Sequence, residues 1–289
     1  MNNPKSTFWQ AAHGRGLELG DKGRLMAIVN VTPDSFSDGG RHFSVEKAVA
    51  HALACVSDGA DILDIGGEST RPGASPVSAQ EEQDRVLPVI ERLRHETEAL
   101  ISIDTYRAET ARLAIAAGAH IINDVYGLQK EPEIAEIAAS TGAGLCIMHT
   151  GRGRERLADV VADQFDYLKR SLAIAAAAHV RPETITLDPG FGFAKETVEE
   201  NMALMARAEE LLALGYPLLV GTSRKRFLGT LTGRDAGDRD AATAATTVLL
   251  RLKGASVFRV HNVAINRDAL AIADAMFEAQ RQAPKGQAR

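Results

Sequence analysis

Short apolar runs alternate with amphipathic stretches along most of this 289-residue chain. Between residues 44 and 57 the apolar side chains recur at positions i, i+3, i+4, i+7, i+8 and i+11, which predicts a helix with one buried stripe. The other predicted helices lie at residues 79–95, 106–117, 131–141, 155–179, 196–214, 239–253 and 263–280.

Four of the apolar runs begin in the same way, with a glycine and an alanine at the end of a predicted helix. The glycines are Gly59, Gly118, Gly142 and Gly254. A glycine suits the position after a helix, where a left-handed backbone is needed. The run that follows has the length and β-branched content of a buried parallel strand. Four more strands are predicted at residues 25–30, 100–104, 184–188 and 217–221.

About eight strands that alternate with about eight helices indicate either a closed barrel or a doubly wound sheet. Nucleotide motifs that would favour the doubly wound sheet are absent, because Gly190–Lys195 lacks the third glycine of G-x-G-x-x-G. We therefore predict an α/β protein with one (β/α)8 TIM-barrel domain at residues 24–281. An N-terminal extension (1–23) precedes it, and a polar tail (282–289), expected to be disordered, follows it.

Composition and charge limit the classes of partner. The formal net charge is −5, which gives no basic footprint for nucleic acid. No apolar run approaches membrane-spanning length, and the first residues lack the apolar core of a secretory signal. Cys55 and Cys146 lie in apolar stretches, which indicates buried thiols. We expect a cytoplasmic protein with no nucleic-acid or membrane partner.

Polar residues occupy the places where the predicted strands end. They are Asn30, Asp64, Asp104, Asn123, Asp188 and the pair Arg259 and His261. One such residue alone is equally well explained as a helix cap or a loop-tip residue. Six strands that end in this way predict an active site, because a parallel barrel carries its site at the carboxyl ends of its strands.

Three loops after predicted strands have the composition of a ligand site. Residues 30–40 and 66–73 form polar, glycine-containing loops that are longer than the usual connection after a barrel strand. Residues 221–226 combine hydroxyl groups with cations, where barrels often bind phosphate. Ordinary turns and a solvated basic loop are the alternative interpretations.

Seven segments, in this order and along almost the whole chain, resemble the dihydropteroate synthase family. They are NVTPDSFSDGG (30–40), DIGGESTRPG (64–73), SIDT (102–105), IND (122–124), LDPGFGF (187–193), GTSRK (221–225) and FRVH (258–261). The related methyltetrahydrofolate methyltransferases share the barrel and the pterin-binding acids, but are not expected to carry both of the first two loops. The resemblance implies condensation of 6-hydroxymethyl-7,8-dihydropterin diphosphate with p-aminobenzoate, giving 7,8-dihydropteroate and diphosphate.

The resemblance also implies roles for individual residues. The implied pterin diphosphate site consists of Thr70, Asp104, Asn123, Asp188, Lys225, Arg259 and His261. The implied p-aminobenzoate site consists of Phe36, Ser69, Thr70, Pro72, Ser223 and Lys225. Asp104, Lys225 and Arg71 would be catalytic, and Asn30 would ligate Mg²⁺. A pterin presents an edge of N–H donors that a carboxylate, Asp188 first, can receive with two hydrogen bonds.

The resemblance also has implications that go beyond the residues of the ligand site. Residues His149–Arg154 depart from the family's usual sequence after the fifth strand, so His149 and Thr150 are not assigned to the site. The intact second loop implies sensitivity to sulfonamides, and the family suggests a homodimer through the late helices. A pterin-binding methyltransferase and a non-catalytic pterin-binding barrel remain alternatives. The resemblance favours C–O cleavage before attack, and direct displacement remains compatible with the residues.

Overall fold

The computed structural model describes residues 7–32, 41–69 and 77–282. The strands are β1 (Thr7–Gln10), β2 (Gly16–Leu19), β3 (Arg24–Asn30), β4 (Ile62–Gly66), β5 (Leu100–Asp104), β6 (Ile121–Asp124), β7 (Gly144–Met148), β8 (Ile185–Asp188), β9 (Leu219–Val220) and β10 (Val257–Val260). The α-helices are α1 (Arg41–Ser57), α2 (Ala79–Leu93), α3 (Ala108–Ala117), α4 (Glu133–Thr141), α5 (Val160–Ala177), α6 (Val198–Ala206), α7 (Arg226–Thr232), α8 (Asp240–Leu252) and α9 (Val263–Gln282).

The last eight strands form one parallel sheet in the order β8-β7-β6-β5-β4-β3-β10-β9. A parallel bridge between Leu187 and Leu218 joins the two ends of the sheet, so that it closes into a barrel. Helices connect successive strands, and the predicted (β/α)8 fold is confirmed. None of the helices within the described residues is long and apolar enough to span a membrane.

Most of the predicted elements are present, but several boundaries were wrong. The helix predicted at 155–179 begins at Val160, because the side chain of Asp159 accepts hydrogen bonds from the first free N–H groups. The helix predicted at 196–214 divides into α6 and a 3-10 helix, Ala208–Leu214. The sequence did not indicate α7, and α1 starts at Arg41, three residues before the predicted position.

The four repeated glycines have the conformation that their positions predict. Their φ angles are 109° at Gly59, 121° at Gly118, 69° at Gly142 and 95° at Gly254. Residues with a side chain rarely adopt such angles. These glycines therefore let the chain leave one helix and enter the next strand directly.

The interior of the barrel is apolar at one end and polar at the other. Alternate residues of a strand share a face, so each strand contributes an inward-facing series. In β5 this series is Leu100, Ser102 and Asp104, which lead from the amino end to the carboxyl end. The apolar end also contains Met26, Ile62, Ile121, Cys146, Leu219 and Val257. Polar chemistry is thereby confined to the carboxyl ends of the strands.

The hairpin of β1 and β2 covers the apolar end of the barrel. Trp9, Ala11 and Leu19 belong to the same buried cluster as the apolar residues inside the barrel. The side chain of Trp9 is fully buried, and its Nε1 donates a hydrogen bond of 2.7 Å to the carbonyl of Thr184. No strand was predicted in this segment. The hairpin closes the amino end of the barrel as a plug.

We expect Trp9→Ala to lower the free energy of unfolding by about 3–5 kcal/mol, since it opens a large cavity under the barrel. The matched control is Phe8→Ala, because Phe8 is the neighbouring residue on the opposite face of β1 and is 45% exposed. Its effect should be about 1 kcal/mol or less. Equal losses for the two variants in urea-induced unfolding would contradict the role of Trp9 as the plug.

Candidate active site

The barrel brings predicted site residues together at the carboxyl ends of its strands. Asn30, Asp104 and Asp188 are the last residues of β3, β5 and β8. Asn123 and Arg259 are the next-to-last residues of β6 and β10. The five residues therefore lie at one end of the barrel, although each comes from a different part of the sequence.

The guanidinium group of Arg259 binds two carboxylates. Its Nε lies 2.6 Å from Oδ2 of Asp64, and its Nη2 lies 2.7 Å from Oδ2 of Asp104. The same oxygen of Asp64 accepts a hydrogen bond of 3.0 Å from Asn123. Asp64 is fully buried, and a buried charge requires such partners. The geometry adds Asp64 to the site. This residue was predicted to lie at a strand end, but no role was predicted for it.

Several buried oxygens near this ion pair have no hydrogen-bond partner within the described part of the chain. They are Oδ1 of Asp64, Oδ1 of Asp104, and the hydroxyl oxygens of Ser102 and Thr186. An unpaired buried polar group costs about 1–3 kcal/mol. A ligand with N–H donors would supply the missing partners to the two carboxylates, so the site is suited to a donor-rich ligand.

Burial shifts the pKa of two site carboxyl groups upwards. It raises the pKa of Asp104 to about 7, against the opposing effect of the Arg259 charge. It also raises the pKa of Asp188 to about 6, although the backbone N–H of Gly190 donates to Oδ1 of Asp188 at 2.7 Å. Both groups therefore change their charge close to neutral pH.

Lys225 precedes α7 and approaches the same end of the barrel. Its Nζ lies 4.1 Å from the centroid of the Phe193 ring, a distance at which a cation is attracted to an aromatic face. Burial lowers the pKa of Lys225 to about 8, and the positive charge of Arg259 acts in the same direction. Lys225 is therefore a cation that can exchange a proton near neutral pH.

Ser223, two residues before Lys225, forms a polar pair with His261. Oγ of Ser223 lies 2.9 Å from Nδ1 of His261 and accepts a hydrogen bond from the backbone N–H of His261. The neighbouring Arg224 is instead paired with Asp240, with 2.7 Å between Nε and Oδ1. The basic loop after β9 thus contributes Ser223 and Lys225 to the site, whereas the charge of Arg224 is balanced by Asp240 of α8.

Asn30 is the predicted metal ligand. Its side chain is half-buried at the end of β3 and makes no hydrogen bond to the described residues. Within these residues no group of three or more His, Cys, Asp or Glu side chains could hold a metal ion. The donor set fits an ion that takes one protein oxygen and obtains its other ligands from phosphate and water, as Mg²⁺ does.

Four predicted site residues, Phe36, Thr70, Arg71 and Pro72, lie outside the described residues. Ser69 is the last described residue before Thr70. The roles assigned to Phe36, Thr70, Arg71 and Pro72 stay predictions.

Arg107 binds Glu68 and Val77, which lie on either side of the undescribed residues 70–76 of the second loop and its end. Its Nη1 lies 2.6 Å from Oε2 of Glu68, and its Nη2 donates to the carbonyl of Val77 at 2.8 Å. The hydroxyl of Tyr106 lies 3.2 Å from both oxygens of Glu68. The start and the end of the loop are therefore fixed to the segment after β5.

The unusual segment after β7 directs its histidine away from the strand-end groups. One ring nitrogen of His149 lies 2.9 Å from Oδ2 of Asp163, and the other lies 3.0 Å from Nζ of Lys195. Both nitrogens are thus bound to other side chains, which agrees with leaving His149 unassigned. Lys195 was missed, because nothing in the sequence distinguishes it from a lysine on the surface.

The fold and the site together define a class of protein: a barrel enzyme with buried acceptors for N–H groups beside a cluster of cations. Comparison with known proteins identifies its family. The model of the family described as "Pterin binding enzyme" matches residues 26–261. A dihydropteroate synthase from Bacillus subtilis is 47% identical over 247 residues, which are 86% of either chain.

Solved structures agree with this relationship. A Xanthomonas albilineans dihydropteroate synthase with 4-aminobenzoic acid has a TM-score of 0.89 and 43% identity, covering 97% of this chain and 100% of its own. The enzyme from the same organism in complex with 7,8-dihydropteroate has a TM-score of 0.82 and 42% identity, covering 91% and 95%. The chain belongs to the pterin-binding enzymes and, within them, to the dihydropteroate synthase family.

The pKa of Asp188 predicts that pterin affinity depends on pH. Only the ionised carboxylate accepts two hydrogen bonds, and ionisation is lost as the pH falls through about 6. We expect the affinity for 6-hydroxymethylpterin to decrease between pH 8 and pH 5, measured by fluorescence titration, at about tenfold per pH unit in the acid limit. Asp188→Asn should remove the component centred near pH 6, and a flat wild-type profile would contradict the assignment.

Proposed function

We propose that the strand-end site binds the pterin ring of 6-hydroxymethyl-7,8-dihydropterin diphosphate and transfers its methylene group to p-aminobenzoate. The products are 7,8-dihydropteroate and diphosphate, in the transferase reaction of folate biosynthesis from which the family takes its name. The observation that carries the proposal is the pair of carboxylates bound to Arg259, each with one oxygen that has no hydrogen-bond partner among the described residues.

The pterin ring is the part of the substrate that the rigid strand ends would bind. Asp188 would receive N–H donors of the ring, and Asn123 can donate as well as accept along the same edge. Asp104 would lie at the ring as a second carboxylate, with its Oδ1 unpaired among the described residues. These three side chains come from β5, β6 and β8, so the pocket is formed before the ligand arrives.

The diphosphate would bind to the cations at the rim of this pocket. Nε and Nη2 of Arg259 are engaged by carboxylates, which leaves Nη1 for a phosphate oxygen. His261 would donate a further hydrogen bond, and Thr70 and Arg71 would reach the diphosphate from the second loop. Asn30 would hold Mg²⁺, which when bound would neutralise negative charge on the leaving diphosphate.

Transfer breaks the C–O bond to diphosphate and forms a C–N bond to the amine, which then loses a proton. We propose that the C–O bond breaks first, since Asp104 can stabilise a cationic methylene group on the electron-rich ring. Ser223 and Lys225 would orient p-aminobenzoate, together with Phe36, Ser69, Thr70 and Pro72 from the loops. The intact second loop supports binding of sulfonamides in place of this substrate.

A homodimer through the late helices is also proposed. Leu249 on α8 and Ile265, Ile272 and Met276 on α9 are large apolar side chains with 37–72% of their surface exposed. Exposed apolar groups on adjoining helices support association of two copies.

The function is tested by release of diphosphate from the pterin substrate, followed with a coupled phosphate assay. We expect release only when p-aminobenzoate and Mg²⁺ are both present. A pterin-binding methyltransferase would transfer a methyl group and release no diphosphate, and a non-catalytic barrel would bind the substrate unchanged. Substrate binding without diphosphate release under any of these conditions would refute the proposal.

The role of Asn30 is tested by Mg²⁺ titration of the same activity. Asn30→Ala should increase the Mg²⁺ concentration needed for half-maximal rate, by about tenfold, since one of several oxygen ligands is lost. Asn30→Asp retains an oxygen at this position and should keep a requirement close to that of the wild type. Identical titrations for the wild type and Asn30→Ala would indicate that another group holds the metal.

A further inference from the structure

The loop after β8 contains a buried lysine that has no role in the reaction described above. Lys195 ends the segment Gly190–Lys195, whose glycines resemble part of a nucleotide-binding motif. Only 2% of Lys195 is exposed. Lysine is almost never buried to this extent unless its charge is paired or hydrogen-bonded, so its surroundings must supply partners.

The ammonium group of Lys195 has an acceptor for each of its three N–H groups. Nζ lies 2.9 Å from the carbonyl of Gly190, 3.4 Å from the carbonyl of Phe193 and 3.0 Å from Nδ1 of His149. When Nδ1 accepts from the ammonium group, the ring proton of His149 is on Nε2, which lies 2.9 Å from Oδ2 of Asp163 and 2.9 Å from Nη2 of Arg154. The lysine is thus connected through His149 to Asp163, a carboxylate that also pairs with Arg154.

The turn that Lys195 holds has left-handed backbone angles at three positions. Gly190, Gly192 and Ala194 have φ angles of 62°, 75° and 55°. A Cβ atom on Gly190 would lie 2.1 Å from the carbonyl oxygen of His149, so the turn also packs closely against β7. A non-glycine residue in this region, such as Ala194, costs about 1 kcal/mol and persists only when other contacts hold it.

Two other buried side chains hold the same turn from outside. Gln164 on α5 donates to the carbonyl of Pro189 at 3.0 Å, and Asn201 on α6 accepts from the N–H of Gly192 at 2.9 Å. Lys195 differs from both in binding two carbonyls of the turn, those of Gly190 and Phe193.

The same two residues, Gly190 and Phe193, also contact the site through other groups. The N–H of Gly190 donates to Asp188, and the ring of Phe193 lies under Nζ of Lys225 at 4.1 Å. The ammonium group of Lys195 therefore holds the backbone of Gly190 and Phe193 through their carbonyls. Gly190 in turn orients the carboxylate of Asp188, and Phe193 supports the cation of Lys225.

We propose that Lys195 is a positioning residue of the pterin site. Anchored by His149 and Asp163, it clamps the Gly190–Phe193 turn and thereby orients Asp188 for the pterin ring. The inference rests on the proposed function, since it takes Asp188 as the acceptor of the pterin donors.

The test compares the affinity of variants for 6-hydroxymethylpterin. Lys195→Met keeps most of the side-chain volume and removes the donors, and we expect the Kd to rise by about tenfold, the effect of losing one hydrogen bond to a charged group. The KM of the pterin substrate should rise with it. Lys253→Met is the control, because Lys253 is a partly exposed lysine that directly follows α8 and pairs with Glu209, and the Kd of this variant should not change.

A double-mutant cycle with Asp188→Asn separates positioning from a loss of stability. If Lys195 acts through Asp188, Lys195→Met should change the Kd much less in the Asp188→Asn background than in the wild type. The same fold-change in both backgrounds would overturn the proposal. A purely structural role would reduce the fraction of folded enzyme and leave the Kd and KM of the folded fraction unchanged.

Lys195→Leu also lacks N–H donors and provides the same test in case the methionine variant does not fold, whereas Lys195→Gln, which keeps N–H donors for the carbonyls, should restore part of the affinity. An unchanged Kd in a folded Lys195→Met or Lys195→Leu protein would refute the positioning role. Failure of the wild-type enzyme to bind 6-hydroxymethylpterin would instead refute the proposed function. The two failures are therefore distinguishable.

Discussion

The ion pairs of Arg259 with Asp64 and Asp104 are the interaction on which the site depends. Removing a carboxylate from water costs several kcal/mol, and an opposite charge with good hydrogen-bond geometry must offset that cost. Arg259 on β10 provides it for carboxylates on β4 and β5, across the intervening β3. Pairing of β10 with β3, and of β3 with β4, brings these side chains together on the inner face of the sheet. The ion pairs with Arg259 leave one oxygen of each carboxylate without a protein partner among the described residues, and it is there that a ligand with N–H donors gains most.

The interior of the barrel is apolar at the amino ends of the strands and polar at their carboxyl ends. The inward-facing side chains of each strand change from apolar to polar along its length. At the amino ends, inward positions are apolar and pack against Trp9 and Leu19 of the hairpin. At the carboxyl ends, the next inward positions carry the polar groups of the site. Burial at the carboxyl ends lowers the effective dielectric around Asp104 and Asp188 and strengthens their interactions with cations and donors. The raised pKa values of both carboxyl groups are consequences of this burial.

The site is supported from outside the barrel by loops that the chain holds in place with buried polar side chains. Arg107 fixes the residues on both sides of the second loop, and Lys195 fixes the turn after β8. Each binds backbone carbonyls, and Arg107 also pairs with the carboxylates of Glu68 and Glu82. Such contacts constrain the backbone without occupying the pocket. Orientation of ligand-binding groups within a fraction of an ångström depends on supporting residues of this kind.

The sequence by itself determined the elements of the barrel and the strand-end residues, because both follow from local periodicity. The period-two alternation in β5, for example, predicts that Ser102 and Asp104 share the inner face with Leu100. Only the tertiary structure decided how these residues pair. Asp64 and Arg259 lie 195 positions apart, and no local pattern indicates their contact. The hairpin around Trp9 and the bond between Lys195 and His149 were missed for the same reason: each is stabilised by contacts between residues that are distant in sequence.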